Sequence, residues 1–150
     1  DVCLPILAKD LARTIVVGVD GSEGARRALQ FALDEATAHD WRVLLVHGVD
    51  VGLSAADPYG GGAVLEQLQQ AGRAALDAAA SEAVKAGLAV ETKLEIGSPA
   101  YALIDAAKGA AMLVVGSRGH GGFMGLLLGS VSSACVHHAH CPIVVVPKPS

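Results

Sequence analysis

Thr14-Ile-Val-Val-Gly-Val-Asp-Gly-Ser22 is the stretch on which the fold turns. Thr14 to Val19 is β-branched and apolar without alternation, which predicts a buried strand, and Asp20-Gly21-Ser22 reads as the turn that ends it. Ser22 is a good helix N-cap with Glu23 in the first turn. Ala25, Ala28, Leu29, Ala32 and Leu33 then recur at helical spacing to about His39. Strand, tight turn and amphipathic helix form a unit that the rest of the chain repeats.

Arg42-Val-Leu-Leu-Val-His47 predicts a second strand, followed by a Gly/Ala/Ser/Pro-rich loop from about Val49 to Gly62. A long Ala-rich helix is expected from about Ala63 to Ala86, ended by Gly87 in the left-handed conformation. In the third strand, Val90 to Ile96, Val90, Thr92, Leu94 and Ile96 alternate with Glu91, Lys93 and Glu95. One face of it is therefore wet, which places it at or near a sheet edge. Gly97-Ser-Pro opens a short helix to about Lys108, with Ser98 as N-cap and Pro99 at the first helical position. Met112-Leu-Val-Val115 is the fourth strand, Ser130 to about His138 a last helix, and Ile143-Val-Val-Val146 the fifth strand. Apolar strands alternating with helices predict an α/β, Rossmann-like single domain, a five-stranded mostly parallel sheet with helices on both faces. It would span residues 14–150, after an N-terminal arm of residues 1–13. Ligands of such sheets sit beyond the carboxyl ends of the strands where strand order reverses, which directs attention to Asp20 and Gly116.

Composition removes several function classes. A chain of 150 residues predicts one domain with a core large enough to need neither metal nor disulfide. Eleven Lys+Arg against 15 Asp+Glu leave a net charge of -4, without the broad basic face that a nucleic-acid backbone demands. One Trp, two Tyr and two Phe are too few for the stacking platforms of single-strand binders. No apolar run approaches the ~18 residues of a membrane-spanning helix, so no membrane partner is expected. Cys3, Cys135 and Cys141 are an odd set without disulfide spacing, and the start from Asp1 to Arg13 has no basic leader. The chain opens on Asp1 rather than Met, so part of the arm would come from processing. A cytoplasmic protein is the expectation.

The segment Gly116-Ser-Arg-Gly119-His-Gly121-Gly122-Phe-Met-Gly125-Leu-Leu-Leu-Gly129-Ser130 places six glycines between a buried strand and a helix. Glycine loses much conformational entropy on folding, so such density needs a reason. Backbone N–H groups approaching an anion without Cβ atoms in the way would supply it. The helix starting near Ser130 would add its positive end. A nucleotide phosphate chain is the natural guest, and a flexible loop with ordinary turn glycines is the alternative. The segment is not a P-loop, because no Lys precedes Ser130. It is not a dinucleotide fingerprint, because Met124 stands where Gly119-x-Gly121 requires a third glycine.

Gly116-x2-Gly119-x9-Gly129-Ser130 after an apolar strand resembles the ATP-binding signature of the universal stress protein family. Ile15-Val-Val-Gly-Val-Asp20-Gly-Ser22, Leu44-Leu-Val-His47 and Cys141-Pro-Ile-Val-Val-Val146 resemble that family's first, second and last strands. The resemblance covers roughly Thr14 to Pro147. It implies that Gly18, Val19 and Asp20 line the adenine and ribose end, with Asp20 near the nucleotide or its Mg2+, and that Val115 packs on the base. It further implies that Gly116, Gly119, His120, Gly121 and Gly122 wrap the ribose and phosphates, and that Gly129, Ser130 and Val131 bind phosphates through backbone amides. Gly48 departs from the pattern, since members often carry a bulkier apolar residue there against adenine. The resemblance also implies a homodimer formed by pairing of Ile143 to Val146 with its copy. ATP, with Mg2+, is the expected cofactor.

Other residues have plainer readings beside the functional ones. Asp20 could only cap its turn, whereas a carboxylate beside a phosphate site suits Mg2+ or a ribose hydroxyl. Arg118 and His120 are either phosphate partners or solvated loop side chains. His47 reads as a hydrogen-bonded structural histidine rather than a general base. Cys135, His137, His138, His140 and Cys141 offer zinc-type ligands, but His137 leaves the face shared by Cys135 and His138, so a helix end rich in histidine is the better reading. No nucleophile–base pair or catalytic carboxylate pair is visible. A nucleotide-dependent stress or signalling module therefore ranks above a nucleotidyl-transferring or ATP-hydrolysing enzyme, and above a dimeric interaction protein without nucleotide.

Overall fold

The computed structural model of the protein describes residues 8–50, 52, 62–119 and 128–149. A short 3-10 helix, Ala8–Arg13, leads into β1, Thr14–Gly18. There follow α1 (Glu23–His39), β2 (Arg42–Val49), α2 (Ala63–Lys85), β3 (Val90–Ile96), α3 (Pro99–Ala106), β4 (Met112–Gly116), α4 (Ser130–His138) and β5 (Ile143–Val146). The sheet order is β3-β2-β1-β4-β5, and every neighbouring pair is parallel. The expected mostly parallel sheet is thus parallel throughout, with the alternating strand β3 at one edge and β5 at the other.

The apolar run that opened the reading lies in the middle. Ile15, Val16 and Val17 are each 0% exposed, because β1 has a strand on both sides and helices on both faces. Ile15, Val17, Val43, Leu45 and Val114 face α1 and α2, meeting Ala28, Leu33, Leu76 and Ala83. Val16, Leu44, Val46, Leu113 and Val115 face α3 and α4, meeting Leu103, Ile104 and Cys135. At ~1.5–3 kcal/mol for each fully buried Val or Leu side chain, these two layers are the main source of stability.

Local chemistry sets the helix ends as expected. The Ser22 hydroxyl accepts the Ala25 N–H at 3.1 Å, and the Ser98 hydroxyl accepts the Tyr101 N–H at 3.3 Å with Pro99 in the first turn. Gly87 has φ +80°, the left-handed geometry that stops α2. Several boundaries differ, and β4 runs one residue past Val115 to Gly116. β1 ends at Gly18, although the Val19 N–H still donates to the Val46 carbonyl at 2.9 Å. β2 runs two residues past His47 to Val49, because Gly48 and Val49 pair with Glu95 and Ile96. α3 ends at Ala106, since Gly109 at φ +82° turns the chain toward β4. Most of the expected loop after Val49, residues 51 and 53–61, lies outside the described residues, as do residues 1–7 of the arm.

Candidate functional site

β1 and β4 are adjacent, but the helices that follow them leave to opposite faces, α1 over one and α4 over the other. Their carboxyl ends therefore part and leave a crevice at the strand switch point. A cleft of about 780 Å³ opens there, bounded by the ends of β1, β2 and β4 and by the first turn of α4. That volume lies within the ~300–1,000 Å³ typical of small-molecule sites.

Gly18, Val19, Asp20, Val115, Gly116, Gly119, Gly129, Ser130 and Val131, all expected at the site, line this one cleft. His120, Gly121 and Gly122 lie outside the described residues. Arg118 also lines the cleft, half-buried.

The glycines of the β4 end answer to close backbone approach. A Cβ on Gly116 would sit 2.7 Å from the carbonyl carbon and oxygen of Gly24, so the β4 end and the start of α1 are pressed main chain to main chain. A Cβ on Gly119 would sit 2.5 Å from Oδ2 of Asp20. The other carboxylate oxygen, Oδ1, accepts the Ser22 N–H at 2.8 Å. Asp20 thus caps its turn through Oδ1 and faces Gly119 across the crevice with Oδ2.

A single carbonyl closes the base of the glycine loop. Ser117 O accepts the Gly129 N–H at 2.7 Å and the Ser132 hydroxyl at 2.7 Å, while the Ser117 N–H donates to Val146 O at 2.9 Å. Both ends of the loop are therefore stitched to each other and to β5. Gly129 is the N-cap of α4, and the first helical bond runs from the Ser133 N–H to its carbonyl. The N–H groups of Ser130, Val131 and Ser132 precede that bond and have no partner within the helix, and all three residues line the cleft, which sets the positive end of α4 against it. Ser132 is 2% exposed and had no part in the sequence reading. Ser132→Ala should cost about 1 kcal/mol by removing one of the two donors to Ser117 O, a fall of a few degrees in thermal melting.

The far wall also went unread. Leu68, Ala71 and Gly72 of α2 and Pro99 and Leu103 of α3 complete the cleft. Gly72 alone left a trace in the sequence, as an isolated glycine within an Ala-rich helix. It answers to His47, whose Nε2 would lie 2.6 Å from a Cβ at that position. Nδ1 of His47 is 2.7 Å from the Val19 carbonyl, the structural bond expected of this histidine. Gly48, the departure from the family pattern, is explained by Pro99, whose N and Cβ would stand 3.0 and 3.1 Å from an added Cβ. The start of α3 therefore forms the wall of the cleft beside Gly48.

The cysteine–histidine segment folds away from the cleft. Cys135 is 0% exposed on the inner face of α4, and Nδ1 of His137 is 2.7 Å from the Ser133 carbonyl. Among the described residues no three His, Cys, Asp or Glu side chains converge on a metal position. Burial, and then the neighbouring Cys141, push the Cys135 thiol up to about 11, and burial also raises Cys141. A thiol that holds its proton harder when folded favours the fold below its ordinary range and loses that advantage as pH climbs toward its folded value. The protein should therefore lose stability in urea between about pH 9 and pH 11, and Cys135 should resist alkylation at pH 8 while Cys141 reacts.

No helix among the described residues is long and apolar enough to cross a membrane. The sequence profile of the universal stress protein family matches residues 12–147. The chain is 38% identical over 139 residues to a universal stress protein of Mycolicibacterium smegmatis, covering 88% of this chain and 47% of that protein. It is 32% identical over 145 residues to one of Methanocaldococcus jannaschii, covering 94% and 85%. It spans about half the length of the mycobacterial relatives it matches. Among solved structures, the Archaeoglobus fulgidus universal stress protein in complex with dAMP superposes with a TM-score of 0.70 at 26% identity, over 91% of this chain and 98% of that one. A universal stress protein in complex with cAMP gives a TM-score of 0.65 at 27% identity, over 91% and 98%. With the parallel sheet, the glycine-lined switch point and a profile match over nearly its whole length, the chain belongs to the universal stress protein family.

Proposed function

We propose that the chain is a cytoplasmic ATP-binding module of the stress or signalling kind, whose cleft holds the nucleotide with its phosphates along Gly116, Gly119, Gly129, Ser130 and Val131. The observation that carries this reading is the cleft of about 780 Å³ at the strand switch point, lined together by Val19, Val115, Gly116, Gly119, Gly129 and Ser130. The α4 N-terminus at the same mouth supplies the anion-binding donors. Family members bound to dAMP and cAMP add support for an adenine nucleotide. Val19 and Val115, 7% and 4% exposed, offer the base an apolar bed. Asp20 supplies one carboxylate, which suits a Mg2+ that takes its remaining ligands from phosphates and water. When bound, that ion would neutralise phosphate charge.

Calorimetry with ATP, ADP, AMP and cAMP is the test, with ATP·Mg2+ expected to bind most tightly. Failure of all four at millimolar concentration removes the reading. Transfer of adenylate or phosphate to an acceptor at useful rates in the same samples would replace the binding module with an enzyme. We also propose that β5 pairs with its copy in a homodimer. It is an edge strand of four half-buried apolar residues, Ile143 to Val146, of the kind that invites pairing. Sedimentation of the wild type against Val145→Lys should show a dimer and a monomer respectively.

A further inference from the structure

We infer that His47 is a positioning residue for the nucleotide cleft, a clamp that orients the Val19–Asp20 peptide and so aims Asp20 at Gly119. The inference rests on the nucleotide reading above. Val19 is held from β2 at both of its main-chain groups. Its N–H donates to Val46 O at 2.9 Å, and its carbonyl lies 2.7 Å from Nδ1 of His47. A carbonyl only accepts, so Nδ1 carries the proton in either charge state of the ring. This second bond lies beyond the last ladder pair of β1 and β2, Gly18 with Val46, and so extends the register by one residue through a side chain.

Peptide planarity converts that bond into direction. With Val19 O turned to β2, the N–H of Asp20, trans across the same plane, is turned to the β4 side. The Asp20 carboxylate then reaches the position where a Cβ on Gly119 would lie 2.5 Å from Oδ2. The opposite edge of the imidazole is seated on α2. A Cβ at Gly72 would fall 2.6 Å from Nε2 and 3.2 Å from Cγ, and His47 and Gly72 both line the cleft. One ring therefore ties α2, β2 and the turn after β1 to the same wall, and Gly72 is the space it needs.

The test is a set of substitutions titrated with ATP·Mg2+, with melting curves alongside. Asn places its amide nitrogen near Nδ1, Gln reaches instead toward Nε2, and Leu donates nothing. H47L and H47Q should bind at least ~10-fold more weakly than wild type, while H47N stays within ~3-fold, the spread expected for one lost or kept hydrogen bond. Gly72→Ala should weaken binding like H47L, although Ala is the better helix former, so a purely helical role for Gly72 predicts the opposite. Heteronuclear NMR of the histidine ring should show Nδ1 protonated in the free protein. H47L binding like wild type, H47N as weak as H47L, or Nδ1 unprotonated each overturns the inference while leaving the cleft assignment intact. Wild type that binds no adenine nucleotide overturns both.

Discussion

Gly116→Ala should lower the melting temperature by about 5–10 °C, a cost of roughly 2–3 kcal/mol. The added Cβ would sit 2.7 Å from both the carbonyl carbon and the oxygen of Gly24. A flexible side chain could swing aside, but the obstacle here is main chain in the first turn of α1. That turn is anchored by the Ser22 cap, and Gly24 itself faces the Arg118 carbonyl. Relief requires α1 to move off β4, and Ala28 and Leu33 pack through the same helix into the main core layer. Because Ser22 and Ala25 at the start of α1 line the cleft together with Gly116, ATP affinity should fall with stability. Thermal melts and calorimetry on Gly116→Ala check this together; a melt within a degree of wild type would mean that α1 and β4 are not in main-chain contact.

The sequence displayed the fold because its signals were local. Continuous β-branched runs, Ser22 and Ser98 at helix starts, and Gly87 after α2 each act within a few residues, and the strands and helices stand where these place them. β3 could be set at an edge because its charges alternate. Half of the candidate site was legible for the same reason, since glycines crowded between a strand and a helix are a local anomaly. The rest depends on approach between distant segments. Nothing near Gly48 announces Pro99, and nothing near Ser132 announces the Ser117 carbonyl fifteen residues earlier. Strand two read two residues short because Gly48 breaks its apolar pattern, while the ladder to β3 continues through it.

The glycines of the family signature should not behave alike, and their difference separates fold from ligand. Gly129→Ala should leave the melting temperature within about 2 °C of wild type. Its Cβ would meet nothing closer than Arg118 Cα at 3.4 Å, an ordinary contact, and its φ of -78° and ψ of 175° suit any residue. Yet that methyl would stand at the N-cap of α4, beside the N–H groups offered to phosphate, and should weaken ATP binding about 10-fold, or 1.4 kcal/mol. Gly119→Ala should go further, to about 30–100-fold, with a stability loss under about 1 kcal/mol. Its Cβ meets Oδ2 of Asp20, whose Oδ1 is already held by the Ser22 N–H, so the carboxylate can yield only by leaving its turn. Gly119 is itself exposed, which keeps the cost to the fold small. Full ATP affinity in both variants, with both folded, would place the phosphates elsewhere than on this loop. A Gly129→Ala protein that binds ten times more weakly while melting normally would locate them at the start of α4.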